Sequence, residues 1–200
     1  MKSKGNTVWV MLTVAVVVPV ALAARSPLLQ WREPIYIVAG FAGVIAMVLL
    51  LFQPLLAAAC LPGIKKPRSR RLHRIVGTLL LFTIIAHVVC LWITSPPDVV
   101  DALLFRSATS FSIWVVIAMW GVFITALLAA SRKIFPLPRL WRTAHKILAV
   151  IIVVASVVHA VLIDGTMETV SKYALCAAVI LVVFVVIADA GVAKQRSLPK

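Results

Sequence analysis

Long apolar runs separated by short polar segments dominate this chain. Six windows nearly free of charge stand out, roughly Thr7 to Ala24, Pro34 to Cys60, Leu72 to Thr94, Phe111 to Ala130, Trp141 to Ile163 and Val170 to Ala188. About 20 apolar residues suffice for a helix to cross the hydrocarbon core of a bilayer. The pattern therefore predicts an all-α membrane protein, a six-transmembrane-helix bundle. The second run is longer than a span needs, and Pro54, which has no backbone donor, is expected to kink or end it near the surface. The segments left between the runs are too short for a separate folded domain. With no Gly-rich nucleotide-binding fingerprint either, the chain reads as a single transmembrane domain over residues 1–200, and any flavin or nicotinamide chemistry has to come from another polypeptide.

Composition agrees: 63% of residues are hydrophobic and 13% charged, against about a quarter charged in soluble domains. The net charge of +14 would suggest nucleic acid in a soluble chain, but here its placement decides the matter. Lys2 and Lys4 precede the first run, Lys65, Lys66, Arg68, Arg70 and Arg71 fill the loop before the third, and Arg132, Lys133, Arg139 and Arg142 lie before and at the start of the fifth. Lys194, Arg196 and Lys200 end the chain. The alternate loops hold Arg25, Arg32 and Glu33, then Asp98, Asp101 and Arg106, then Asp164, Glu168 and Lys172. Cationic loops face the cytoplasm, so both termini are expected to be cytoplasmic, and the charge implies membrane topology and lipid contact, with no nucleic-acid partner. Lys2, Lys4 and the later Ala-Leu-Ala-Ala also suit a cleaved signal peptide. The intervening apolar run of about 18 residues exceeds the usual signal core and favours a retained helix. Cys60, Cys90 and Cys176 form no CxxC pair and are read as small buried hydrophobes.

The candidate chemistry lies in four histidines. His73 and His87 fall in the third run, His145 and His159 in the fifth, and each pair is separated by fourteen positions. Fourteen residues make just under four helical turns, so both members of a pair share a face and lie about 21 Å apart along the axis. The third and fifth spans point the same way, which sets His73 level with His145 at the cytoplasmic side and His87 level with His159 at the outer side. Two such rungs suit two hemes held one above the other, each iron bound by two imidazoles. Without a CxxCH attachment sequence the hemes would be non-covalent, hence b-type. A single zinc or iron site built from all four would need ligands that converge, which rungs so far apart do not supply.

The surrounding residues add weaker signals. Gly77, Leu80 and Ile84 share the face of the first pair, and Ala149, Ile152 and Ser156 that of the second. The small residues leave room for a flat macrocycle, although small residues also favour close helix packing in membranes. Arg70, Arg71, Arg74, Arg142 and Lys146 cluster at the inner rung as candidate propionate partners, with Arg106 and Lys172 at the outer one. The same cations also suit topology or anionic lipid. Trp9, Trp31, Trp92, Trp114 and Trp141 sit near span ends as an aromatic belt. Trp120, in mid-span, suits packing or an electron stepping stone. Asp98, Asp101, Asp164 and Glu168 line the outer loops as solvated residues or as a site for a basic partner or a cation, and Asp189 suits an ion pair with a loop arginine.

The stretches QPLLAA and LPG before the basic loop, RRLHRIVGTLLLFTIIAH, and WRTAHKILAVIIVVASVVH together make the chain resemble the ferric reductase-like transmembrane domain family over about residues 36–188. That family includes ferric reductases, NADPH oxidases and the membrane subunit of the bacterial periplasmic methionine sulfoxide reductase system. The resemblance implies electron transfer from a cytosolic flavin or NAD(P)H-linked donor through two b hemes to an acceptor on the far side, ferric iron or a periplasmic reductase. His73 and His145 match the inner-heme ligands, and His87 and His159 the outer ones. Lacking the fused flavin and nicotinamide domain of larger members, the chain would depend on a cytosolic flavoprotein or a quinone as donor, in a bacterial inner membrane. Two alternatives stay open: a single heme at His87 and His159, and a non-redox transporter or assembly factor whose histidines relay protons.

Overall fold

The computed structural model describes the backbone of residues 2–134 and 136–196 and the side chains of residues 5–134 and 136–188. The described residues form seven α-helices and no strands: α1 (Lys2–Ala24), α2 (Pro34–Ala58), α3 (Lys66–Thr94), α4 (Pro96–Leu103), α5 (Ser112–Ala130), α6 (Pro138–Leu162) and α7 (Thr169–Arg196). Six of them, all but α4, are long and apolar enough to cross a membrane. The protein is thus an integral, multi-pass membrane protein. The outward faces are apolar, as lipid contact requires: Phe82 is 62% exposed, Leu127 69% and Phe184 70%.

Two antiparallel hairpins make up most of the bundle. α2 packs along α3 and α5 along α6, α7 touches α1, α2 and α6, and α3 and α6 are not among the closely packed pairs. Leu50 and Leu51 of α2, Leu80 of α3, Val122 of α5, Ile152, Val153 and Val157 of α6, and Cys176 and Val179 of α7 form the buried core. α1 is held at its outer surface by Ala23, fully buried, and by Trp9, whose Nε1 donates to the Pro62 carbonyl at 3.2 Å.

α2 continues through Pro54 to Ala58 and stops where Ala59 turns left-handed (φ 57°) and donates its N–H to Leu55 and Leu56. In a membrane helix, packing around a proline compensates for the lost donor. Two other expectations need correction. Cys60 falls beyond that turn and is exposed; Cys90 is half-buried and only Cys176 is buried, so one cysteine of the three behaves as a core hydrophobe. The loop carrying Asp98 and Asp101 contains the short helix α4, started by Pro96 and Pro97, with Ser95 Oγ donating to Asp98 Oδ2 at 2.6 Å. A serine before proline with an acid three positions on is a readable start signal.

Two acids of the loop before α7 are also structural. Glu168 caps α7, accepting the N–H groups of Val170 at 2.6 Å and Ser171 at 2.7 Å. The Ser171 and Val170 amides hold its carboxyl below the usual carboxylate range. A depressed folded pKa means that the cap contributes fully at pH values above the unfolded pKa and is lost as pH falls through the folded one. Glu168→Ala should therefore lower the thermal midpoint in detergent at neutral pH. The gap to wild type should close as the pH drops below about 4, which parallel melts across pH would read out. Lys172 is buried, donating to the Ile163 carbonyl at 2.9 Å with Asp164 Oδ1 at 3.7 Å, so it closes the end of α6, where cations are favoured. The side chain of Asp189 lies outside the described residues.

Candidate functional site

α3 is continuous from Lys66 to Thr94 and α6 from Pro138 to Leu162, so each carries its two histidines on one rigid rod. The neighbouring helix of each hairpin sets the imidazoles. His73 Nδ1 lies 3.3 Å from the Gln53 carbonyl, His87 Nδ1 2.6 Å from that of Ala39, and His159 Nδ1 3.4 Å from that of Phe111. A carbonyl only accepts, so Nδ1 carries the proton in all three. Nε2 is left with a free lone pair. Metal-binding histidines commonly show this arrangement, with the second nitrogen donating to a carbonyl that fixes tautomer and ring orientation.

At the basic end the His73 and His145 ring centres are 6.2 Å apart, with planes inclined at 69°. Two imidazoles bound to opposite sides of one metal at about 2 Å per bond place their centres roughly 6 Å apart. Trp141 stacks on His145 (5.3 Å, 13°), and Arg132 lies 5.3 Å over the Trp141 ring, which makes a layered support for that imidazole. The Gln53 amide reaches the His73 carbonyl at 3.5 Å. At the other end, Phe111 both accepts from His159 and meets its ring edge at 5.7 Å.

Glycine matters at two positions on this frame. A Cβ at Gly43 would come within 3.2 Å of His87 Cε1, so the absence of a side chain there lets the imidazole lie against α2. A Cβ at Gly77 would meet Gln53 Nε2 at 3.3 Å, so Gly77 admits the residue that holds His73. Arg71, Arg74 and Arg142 are exposed at the level of the inner rung, and none makes an ion pair among the described residues. Trp120 is turned outward, 51% exposed and edge-on to Phe123.

These residues fit a heme on each rung. His73 and His145 are brought together across a pair of helices that are not closely packed, His87 and His159 lie fourteen residues further along the same two helices, and Nε2 is free in at least three of the four rings. Among the described residues no three His, Cys, Asp or Glu side chains converge, so a protein-only metal centre lacks ligands whereas a macrocycle would bring its own. Reading the sequence missed Gln53, Ala39, Phe111 and Gly43, because carbonyl acceptors leave no residue-type signal. It also placed Trp141 only in the aromatic belt.

A family model described as ferric reductase like transmembrane component matches residues 39–157, more than half of the chain. The match contains His73, His87 and His145 and ends just before His159. No curated protein and no solved structure matches the chain.

Proposed function

This chain belongs to the ferric reductase-like transmembrane component family, and from that premise we propose that it conducts electrons across the membrane through two b-type hemes, each held by two histidines. The observation that carries the reading is the shared orientation of His73, His87 and His159, whose Nδ1 protons are taken by backbone carbonyls and whose Nε2 atoms are left to bind a metal. When bound, the hemes supply the one-electron redox couples. The chain supplies the rest. His73 and His145 hold the inner group and His87 and His159 the outer. Arg71, Arg74 and Arg142 offer cations to propionates at the inner rung, and Arg106 at the outer, where Lys172 is already engaged with Ile163 and Asp164. Leu80 and Ile152, both nearly buried, keep the space between the rungs dry. Two histidines at each rung would hold the bound group between them and leave it no free position for a substrate.

The cationic loops support a topology in a bacterial inner membrane with both termini in the cytoplasm and the His73 and His145 rung on that side. An electron moving outward against a negative interior gains about 2.3 kcal/mol per 100 mV. The donor is a cytosolic flavoprotein or a quinone. The acceptor outside is ferric iron or a periplasmic reductase such as a methionine sulfoxide reductase. The purified chain in sealed vesicles, with dithionite trapped inside and an impermeant ferric chelate outside, should reduce the chelate far faster than protein-free vesicles. Equal rates would overturn the proposal.

A further inference from the structure

The contacts that hold the helices and histidines repeat along the chain at a fixed offset. His87 donates to the carbonyl of Ala39, and His159, 72 positions on, donates to that of Phe111, also 72 positions on. Ser69 Oγ donates to Leu56 O at 2.7 Å, and at the same offset Trp141 Nε1 donates to Leu128 O at 2.7 Å. α2–α3 and α5–α6 are therefore two copies of one hairpin in equivalent register, with different donors at equivalent places.

The third contact of the first hairpin joins His73 to Gln53. Its counterpart at the same offset would join His145 to Thr125. There the repeat is broken: His145 Nδ1 and Thr125 Oγ1 are buried without a hydrogen-bond partner, the two such side-chain atoms among the described residues. The register brings them to one level. Thr125 lies between Gly121, where a Cβ would meet Ile152 Cγ1 at 2.8 Å, and Leu128, which accepts from Trp141, and His145 lies between Trp141 and Ile152. A ring N–H and a hydroxyl oxygen would satisfy one another once within reach. Leaving each buried alone carries the full desolvation penalty of an unmet polar group.

We propose that Thr125 is the positioning residue of His145: its hydroxyl accepts the Nδ1 proton and so presents Nε2 to the inner heme, the task that a backbone carbonyl performs for the other three histidines. The inference rests on the heme reading for its purpose, but the hydrogen bond itself can be observed without heme.

The test uses the full chain labelled with ¹⁵N in its histidine rings, purified and dithionite-reduced, with His145→Gln to assign the signal. A hydrogen-bonded Nδ1–H tautomer at His145 in wild type and Thr125→Ser, lost in Thr125→Val, is the expected result. In the same samples, Thr125→Val should bind the inner heme about 10–100-fold more weakly and raise its midpoint potential, with the outer heme unchanged and Thr125→Ser close to wild type. An Nδ1 without a proton or without a hydrogen bond in wild type overturns the inference, even if Thr125→Val does not fold. So does a Thr125→Val protein whose His145 signal and inner-heme affinity match wild type. Wild-type protein free of heme would sink the functional reading alone, since the tautomer of His145 would still be read in it.

Discussion

His159→Ala should leave the purified chain with one heme in place of two, and His87→Ala should give the same loss. Both residues would be needed to hold the outer group, so removing either would leave it with one protein ligand in place of two. The double substitution should lose no more heme than either single one, because residues that act as a unit are not additive. His73→Ala and His145→Ala should likewise remove one heme, the inner. The two losses are separable by spectrum and potential, since Trp141 and Arg132 flank the inner ligand and Phe111 the outer. Pyridine hemochrome content of each variant, normalised to protein, reads the result. A His73→Ala protein with undiminished heme would show that the outer rung alone is loaded.

Gly40→Ala should be the most damaging glycine-to-alanine change among the described residues. Gly40 follows Ala39, whose carbonyl holds His87, and a Cβ there would stand 2.6 Å from Thr166 Oγ1 and 2.9 Å from Thr166 Cβ. Thr166 is 4% exposed and has little room to withdraw. Overpacking of this kind costs about 1–3 kcal/mol. The strain is relieved by moving the α6–α7 connection off α2 or by tilting the Ala39 carbonyl away from His87. Gly40→Ala should therefore melt several degrees below wild type in detergent and release the outer heme before the inner on heating. A melt unchanged from wild type would show that Thr166 yields without cost. Alanine at Gly165, where a Cβ meets nothing within 4 Å, is the matched control.

Much of the fold was legible because a membrane leaves few choices: an apolar run of sufficient length must be a helix, and the six runs became α1, α2, α3, α5, α6 and α7. Their ends were less legible. α3 begins at Lys66, well before Leu72, because a basic stretch extends a helix into water as readily as it forms a loop. The course of α2 beyond Pro54 depended on packing that no local propensity encodes. The histidine pairs were visible as spacing, since rigid rods turn sequence separation into height. The groups that hold the imidazoles were not visible, because Ala39, Gln53 and Phe111 act through main-chain oxygens that every residue possesses. Yet the offset between His73 and His145 equals that between His87 and His159, and that equality already hinted at the duplicated hairpin. Glu168 and Asp98 show the reverse case: acids that suggested a cation or partner site are engaged at helix starts.

The ratio of heme to protein in the detergent-purified chain, by pyridine hemochrome with a dithionite-reduced minus oxidised spectrum, tests the central claim most directly. The account predicts about two hemes per chain with b-type bands, one for each histidine rung. Colourless protein from heme-replete cells would contradict it and leave four carbonyl-facing or unpaired histidines better explained as a proton relay.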